Sequence, residues 1–178
     1  MVSLEVIARP HFDKADLAWL TDIRSRRAGS RGEPYFTLVF PGADLTPTAF
    51  VGAIRERAKP VHAIRFRLRS ALVVPEPIAR RFHVFLIPDE GFGAIERLHD
   101  ALHTGPIQAV MRQDSPYLPH ITVATTADHA TARSLAFALN QGAMDVHGHI
   151  DALTVESRAG EAITELARIP LSKAGWLK

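Results

Sequence analysis

Apolar positions in this chain recur with two periods, strand-like and helix-like, and the order in which the periods alternate repeats itself. Leu4-Glu5-Val6-Ile7-Ala8 reads as a short strand. Asp13 then stands where a helix N-cap belongs. Leu17, Leu20 and Ile23 give that helix one apolar stripe through about Arg27, and Gly29 stops it. After the loop Ser30-Arg31-Gly32-Glu33-Pro34, the run Tyr35-Phe36-Thr37-Leu38-Val39-Phe40 reads as a strand ended by Pro41-Gly42. Thr46-Pro47 is an N-cap followed by proline at the first helical position, with Phe50, Val51 and Ile54 facing inward. Val61 to Val74 is a long strand in which Arg65, Arg67 and Arg69 alternate with Phe66 and Leu68.

The pattern then restarts. Phe82 to Ile87 is a strand, and Asp89 is placed to cap a helix carrying Ile95, Leu98 and Leu102, closed by Gly105-Pro106. His120 to Ala124 is a strand. Asp128 opens a helix with Ala132, Leu135 and Leu139 inward, closed by Gly142. Val146 to Ser157 reads as one strand, and Arg158-Ala159-Gly160-Glu161 turns it into a last strand around 164–171.

The repeat has a register. Thr37 and Thr122 are offset by 122 − 37 = 85 residues, and the same offset pairs Tyr35 with His120, Phe50 with Leu135, Ile54 with Leu139, Val61 with Val146, His62 with His147 and Leu68 with Leu153. A common register across strand, helix and strand points to duplication. The expected fold is α+β, one domain over residues 1–178. Lobe one covers about 1–75 and lobe two about 82–157, with a C-terminal strand at about 164–171 and strands free to exchange between lobes. Each lobe is a mainly antiparallel sheet with helices on its outer face, and a groove lies between the lobes.

Residues two apart on a strand share a face. His120 and Thr122 therefore point one way, and Ile121 and Val123 the other. Tyr35 and Thr37 likewise oppose Phe36 and Leu38. With helices over the greasier faces, the groove carries Tyr-x-Thr from one lobe and His-x-Thr from the other. Hydroxyls donate to phosphate oxygens, and an imidazole near neutrality moves protons.

Pro119-His120-Ile121-Thr122-Val123 resembles the His-x-Thr signature of the 2H phosphoesterase superfamily, which includes 2′-5′ RNA ligase-like proteins and cyclic nucleotide phosphodiesterases. Pro34-Tyr35-Phe36-Thr37-Leu38-Val39-Phe40-Pro41 resembles that family's first motif. The resemblance implies that Thr37 and Thr122 hold a phosphate and that His120 is an acid–base group. It also implies a substrate with a cyclic phosphate or a 2′-5′ linkage, in an RNA end or a small cyclic or phosphorylated nucleotide. The chain departs from the family at one position: Tyr35 stands where the first histidine belongs. A free phenol titrates near about pH 10, so at neutral pH a tyrosine donates a proton or hydrogen bond but is a poor base. Losing one acid–base partner costs about 10²–10⁴ in rate. The expectation is thus a 2H-type phosphodiesterase with impaired catalysis through His120, Thr122, Thr37 and Tyr35. The alternative is a non-catalytic module that binds nucleotides or RNA ends.

Composition narrows the partners. The 178 residues include 21 Lys+Arg against 19 Asp+Glu, a balance unlike that of a dedicated duplex-DNA binder. There are no cysteines, no long apolar run and no signal-peptide pattern, which places the expectation in the cytoplasm, away from membranes. A monomer is expected. Arg67 is placed on the groove face as a phosphate-attracting cation, with others of the Arg65, Arg67, Arg69 series on a solvated strand face. Arg24, Arg26, Arg27 and Arg31 read as a solvated helix end. His99 and His103, one turn apart, read as an exposed helix face. His147-Gly148-His149, with only two histidines, makes a weak metal case. His11 reads as a residue near the first helix cap, and His83 as a mid-strand histidine of unknown pairing. No metal and no cofactor are expected.

Overall fold

The computed structural model describes residues 2–26, 32–42, 45–111, 116–160 and 162–173. Among the described residues, two antiparallel sheets carry four α-helices. The elements run β1 (Val2–Ala8), β2 (His11–Phe12), α1 (Lys14–Ser25), β3 (Phe36–Val39), α2 (Pro47–Ala58), β4 (Ile64–Glu76), β5 (Arg81–Glu90), α3 (Phe92–Leu102), β6 (Ile121–Thr126), α4 (His129–Gln141), β7 (Val146–Ile150), β8 (Ala152–Ala159) and β9 (Ala162–Pro170). A 3₁₀ turn spans Gly105–Val110. Sheet one has the order β3-β1-β8-β9, and sheet two β2-β7-β4-β5-β6. The duplicated α+β architecture is therefore present, with one edge strand of each sheet, β3 and β6, in equivalent places.

Most helix starts follow their caps. The Asp13 carboxylate accepts from the Asp16 amide, Thr46 Oγ1 from Ala49, and Asp128 from Ala130 and Thr131. Asp89 is the exception. It stays within β5 and ion-pairs with Arg69 at 2.7 Å, and the cap of α3 is Gly91 at φ +83°. Only glycine suits that position: a Cβ on Gly91 would stand 2.3 Å from the Arg65 carbonyl oxygen. Helix α3 ends at Leu102 with His103 as its C-cap, so Gly105-Pro106 opens the 3₁₀ turn rather than closing the helix. On α1, Leu17 is exposed, and the buried positions are Leu20 and Arg24. The expected stop at Gly29 lies outside the described residues.

The strand expected over Val146 to Ser157 is two strands. β7 pairs with β4 in sheet two, whereas β8 pairs with β1 and β9 in sheet one. Asp151 is the residue between them, and its carbonyl accepts from the Leu171 amide at 2.8 Å. The sheets also exchange strands. β4 lies at the centre of sheet two, and β8 and β9 complete sheet one.

The core lies beneath and between the sheets. Phe36 of β3 meets Phe66 of β4 edge-on at 5.1 Å, which joins the sheets through two fully buried rings. The helices cross over in the same way. α1 packs against β6 of sheet two, and α3, which leads towards β6, packs against β3 of sheet one. That exchange brings the two edge strands to a shared groove.

Candidate functional site

Along β3, Phe36 and Leu38 are fully buried and Thr37 is half-buried; Tyr35, immediately before it, is half-buried too. Along β6, Ile121 and Val123 are fully buried, while Thr122 and the preceding His120 are half-buried. Thr37 pairs with Ile7 and Thr122 with Phe85, each on the neighbouring inner strand. The period-two pattern thus turns both pairs into the groove. Tyr35, Thr37, His120 and Thr122 line one cavity of about 580 Å³, together with Arg24, Glu76, His83, Phe85, His99, Tyr117 and Thr125.

His120 is fixed in both tautomer and plane. Its Nδ1 lies 2.6 Å from the Leu118 carbonyl oxygen. A carbonyl only accepts, so Nδ1 carries the proton and Nε2 keeps its lone pair. The imidazole stacks on Phe85 with centroids 3.6 Å apart and planes 17° from parallel. Burial lowers the His120 pKa, aided by the nearby His83 and opposed by the Leu118 hydrogen bond. The neutral form of the ring is therefore favoured, with the Nε2 lone pair left unprotonated.

The two halves are clamped across the groove by their own side chains. The Tyr117 hydroxyl donates to the Thr37 carbonyl at 2.8 Å, and the Arg24 guanidinium donates to the Thr122 carbonyl. Each bond occupies a carbonyl of an edge strand and ties it to an element from the other sequence half. Arg24 is only 4% exposed, and its guanidinium stands 6.0 Å from the Tyr35 ring centroid. It is no solvated helix end. Helix α1 packs against β6, which turns the last turn of that helix inward. Arg27 and Arg31 lie outside the described residues.

Two further histidines differ from their sequence readings, and a third, mid-strand as expected, gains partners. His99 and His103 are buried, not on an exposed face. His99 stacks on Tyr117 with centroids at 3.8 Å and planes 5° apart, and His103 leans on His99 at 4.2 Å. Burial lowers both of their pKa values. His83 lines the groove, with Nε2 2.8 Å from Glu76 and Nδ1 2.9 Å from Thr125 Oγ1. Its partners come from the β4–β5 hairpin and from β6, so only the pairing of those strands discloses them.

Arg67 is not among the groove-lining residues. Its guanidinium is ion-paired with Asp145, and it lines a second cavity with His11, Phe12, His147 and His149. The physical reason is the length of β4. The strand reaches the groove only through its far end, Val74 to Glu76, and Arg67 lies near the start.

The sequence profile of the 2'-5' RNA ligase superfamily matches residues 12–162. This chain belongs to that superfamily. Three solved structures share its fold over nearly their whole length. Kluyveromyces marxianus Usb1 is 12% identical over 95% of this chain and 98% of its own, with a TM-score of 0.55. A structure described as a phosphoesterase is 14% identical over 97% and 100%, with a TM-score of 0.60. E. coli LigT complexed with 3'-AMP is 14% identical over 97% and 99%, with a TM-score of 0.58. A comparison with curated proteins gives no significant sequence match. Among the described residues no helix is long and apolar enough to cross a membrane.

The three depressed histidines set a sign for acid sensitivity. Each has a folded pKa below its ordinary 6.5, so the unfolded chain binds protons more readily. Their stabilising contribution is complete above about pH 6.5 and is lost as pH falls below it. Thermal melting between pH 8 and pH 5 should show a falling Tm on the acid side. His99→Gln and His103→Gln, assayed together, should flatten that slope.

Proposed function

We propose that the groove binds the phosphate of an RNA end or a small nucleotide, and hydrolyses a 2′,3′-cyclic phosphate slowly. The observation that carries this reading is the convergence of Tyr35, Thr37, His120 and Thr122 on one cavity. It is supported by the superfamily membership and by relatives solved with nucleotides: LigT with 3'-AMP and Usb1 with uridine monophosphate.

In this reading the Thr37 and Thr122 hydroxyls donate to the non-bridging phosphate oxygens. His120 Nε2 takes a proton from water as its oxygen bonds to phosphorus. The bond from phosphorus to one ribose oxygen breaks, and that oxygen receives a proton from the Tyr35 hydroxyl. Arg24, beside the Tyr35 ring, adds positive potential where negative charge gathers. The step is slow because a phenol is a weaker acid than the imidazolium it replaces. The rate should fall as acid protonates His120, with the inflection below pH 6.5 because burial depresses its pKa. In this account the protein acts in the cytoplasm as a monomer.

Tyr35 also favours a second reading, in which the groove binds the same ligands without turnover. Calorimetry against 2′,3′-cyclic AMP tests what both readings share. Thr37→Val and Thr122→Val each remove one donor while keeping a β-branched shape, and each should weaken binding by about 10- to 100-fold, as a hydrogen bond to a charged group is worth about 1.5–3 kcal/mol. Unchanged affinity in both folded variants would remove the groove as the phosphate site.

A further inference from the structure

We propose that His11, His149 and Asp151 form a binding site for a divalent transition metal of the zinc class. The site lies on the outer part of sheet two, apart from the groove residues. None of its three side chains lines the groove cavity.

The strands assemble the donors. β2 is a two-residue strand paired only with β7, and its register sets His11 directly opposite His149. The rings stack with centroids 5.0 Å apart and planes at 23°. Asp151 follows His149 by two residues, at the point where the chain leaves sheet two for sheet one. Its Oδ1 lies 3.0 Å from His11 Nε2. One ligating atom from each of the three residues falls within 4.8 Å of the other two. A tetrahedral zinc with bonds of about 2.0–2.2 Å needs its ligand atoms roughly 3.3 Å apart. His11 and Asp151 already stand near that spacing, and a side-chain rotation of exposed His149 closes the remainder.

Packing on the other face holds the arrangement in place. Phe12, next to His11, meets Phe66 edge-on at 5.9 Å. Both rings press on Gly148, where a Cβ would stand 2.4 Å from Phe66 Cζ and 3.0 Å from Phe12 Cε1. Glycine at 148 lets the phenyl rings seat beneath β7, which anchors β2 and leaves the two imidazoles on the opposite face. In the sequence these residues are 138 positions apart (149 − 11), and β2 is too short to read as a strand.

Two imidazoles and one carboxylate are the donor set of zinc, nickel or cobalt rather than magnesium or calcium, which take oxygen ligands. Three protein ligands leave a position for water. The neighbouring cations set a limit on affinity. Arg168 Nη2 lies 4.0 Å from Asp151 Oδ1 and competes for it, and Arg65 pairs with His149 in register. His147 is not a ligand in this assignment, because it stands 3.4 Å from Asp145, whose carboxylate is held by Arg67 and Arg69. A bound ion would tie the edge strand β2 to the crossover between the two sheets.

The test is titration of the full chain, stripped with chelator, with zinc sulfate by calorimetry and thermal melting. One zinc per chain is expected, with a Tm that climbs with zinc concentration. His149→Ala and Asp151→Asn should each weaken binding by at least about 10-fold, and circular dichroism should show both variants folded. Arg168→Ala should tighten binding, and His147→Ala should leave it unchanged. Cobalt should give a visible absorption band in the wild type that the Asp151→Asn variant loses. No one-to-one binding in the wild type, or affinity that survives both triad substitutions, would overturn the proposal. So would binding governed by His147.

Discussion

Replacing Tyr35 by histidine is expected to raise the rate of 2′,3′-cyclic phosphate hydrolysis by about 10²–10⁴. Position 35 stands to Thr37 as position 120 stands to Thr122, two residues before it and in the same cavity. An imidazole there gives the groove a second group able to donate and accept protons near neutral pH, which a phenol does not. The size of the gain depends on reach. A histidine side chain is shorter than tyrosine, and it must come within hydrogen-bond distance of the departing oxygen. Arg24 beside the ring position disfavours an imidazolium there, so the variant's optimum should lie at lower pH than an isolated histidine would give. The assay is hydrolysis of RNA ending in a 2′,3′-cyclic phosphate, followed from pH 5 to pH 9. A Tyr35→His variant that binds the RNA normally and turns over no faster would show that position 35 does not face the reacting bond.

Replacing His120 by alanine is expected to cost about 10²–10⁴ in the same assay in the wild type, and more in the Tyr35→His background, where the gain from the second histidine is lost with it. The leading cause is loss of the lone pair on Nε2, which the Leu118 carbonyl keeps free by holding the proton on Nδ1. Phe85 would also lose the ring stacked 3.6 Å from it, so a folding control is needed. His120→Gln supplies one, since it keeps a polar side chain but no base. Two histidines acting as one unit should give effects that do not add, and the Tyr35→His, His120→Ala double variant should be no faster than His120→Ala alone. A gain from Tyr35→His that persists without His120 would mean that the two positions serve separate steps. Turnover that survives His120→Ala would move the base to another groove residue. His83, paired with Glu76 and Thr125 in the same cavity, is the one to examine next.

The convergence of Tyr35, Thr37, His120 and Thr122 on one cavity is legible in the sequence because its signal is local. Tyr35 and Thr37, like His120 and Thr122, are two residues apart, and strand geometry alone puts each pair on one face. The offset of 85 residues then equates the two strands without any knowledge of their contacts. What stayed hidden depends on pairing at long range. Val146 to Ser157 carries no proline or run of turn residues at Asp151, so one strand and two strands in different sheets look alike. Alternation assigns Arg67 to an exposed strand face but says nothing of which cavity that face borders. Arg24 reads as a helix-end cation because burial of a guanidinium requires a partner, here the Thr122 carbonyl 98 residues away. His99 and His103 share a turn with Leu98 and Leu102, and the Tyr117 ring stacked on His99 is brought there by tertiary packing that the helix period does not show. Gly91 displaces Asp89 as the cap of α3 because β5 runs on through Glu90 before the chain turns.

The most direct test is a crystal structure of the wild-type protein soaked with a 2′,3′-cyclic nucleotide. The phosphate is expected in the groove, with its non-bridging oxygens within hydrogen-bond distance of Thr37 Oγ1 and Thr122 Oγ1, and His120 Nε2 facing the phosphorus from the side opposite the Tyr35 hydroxyl. A nucleotide bound elsewhere on the fold, or bound in the groove with its phosphate away from both threonines, would contradict it.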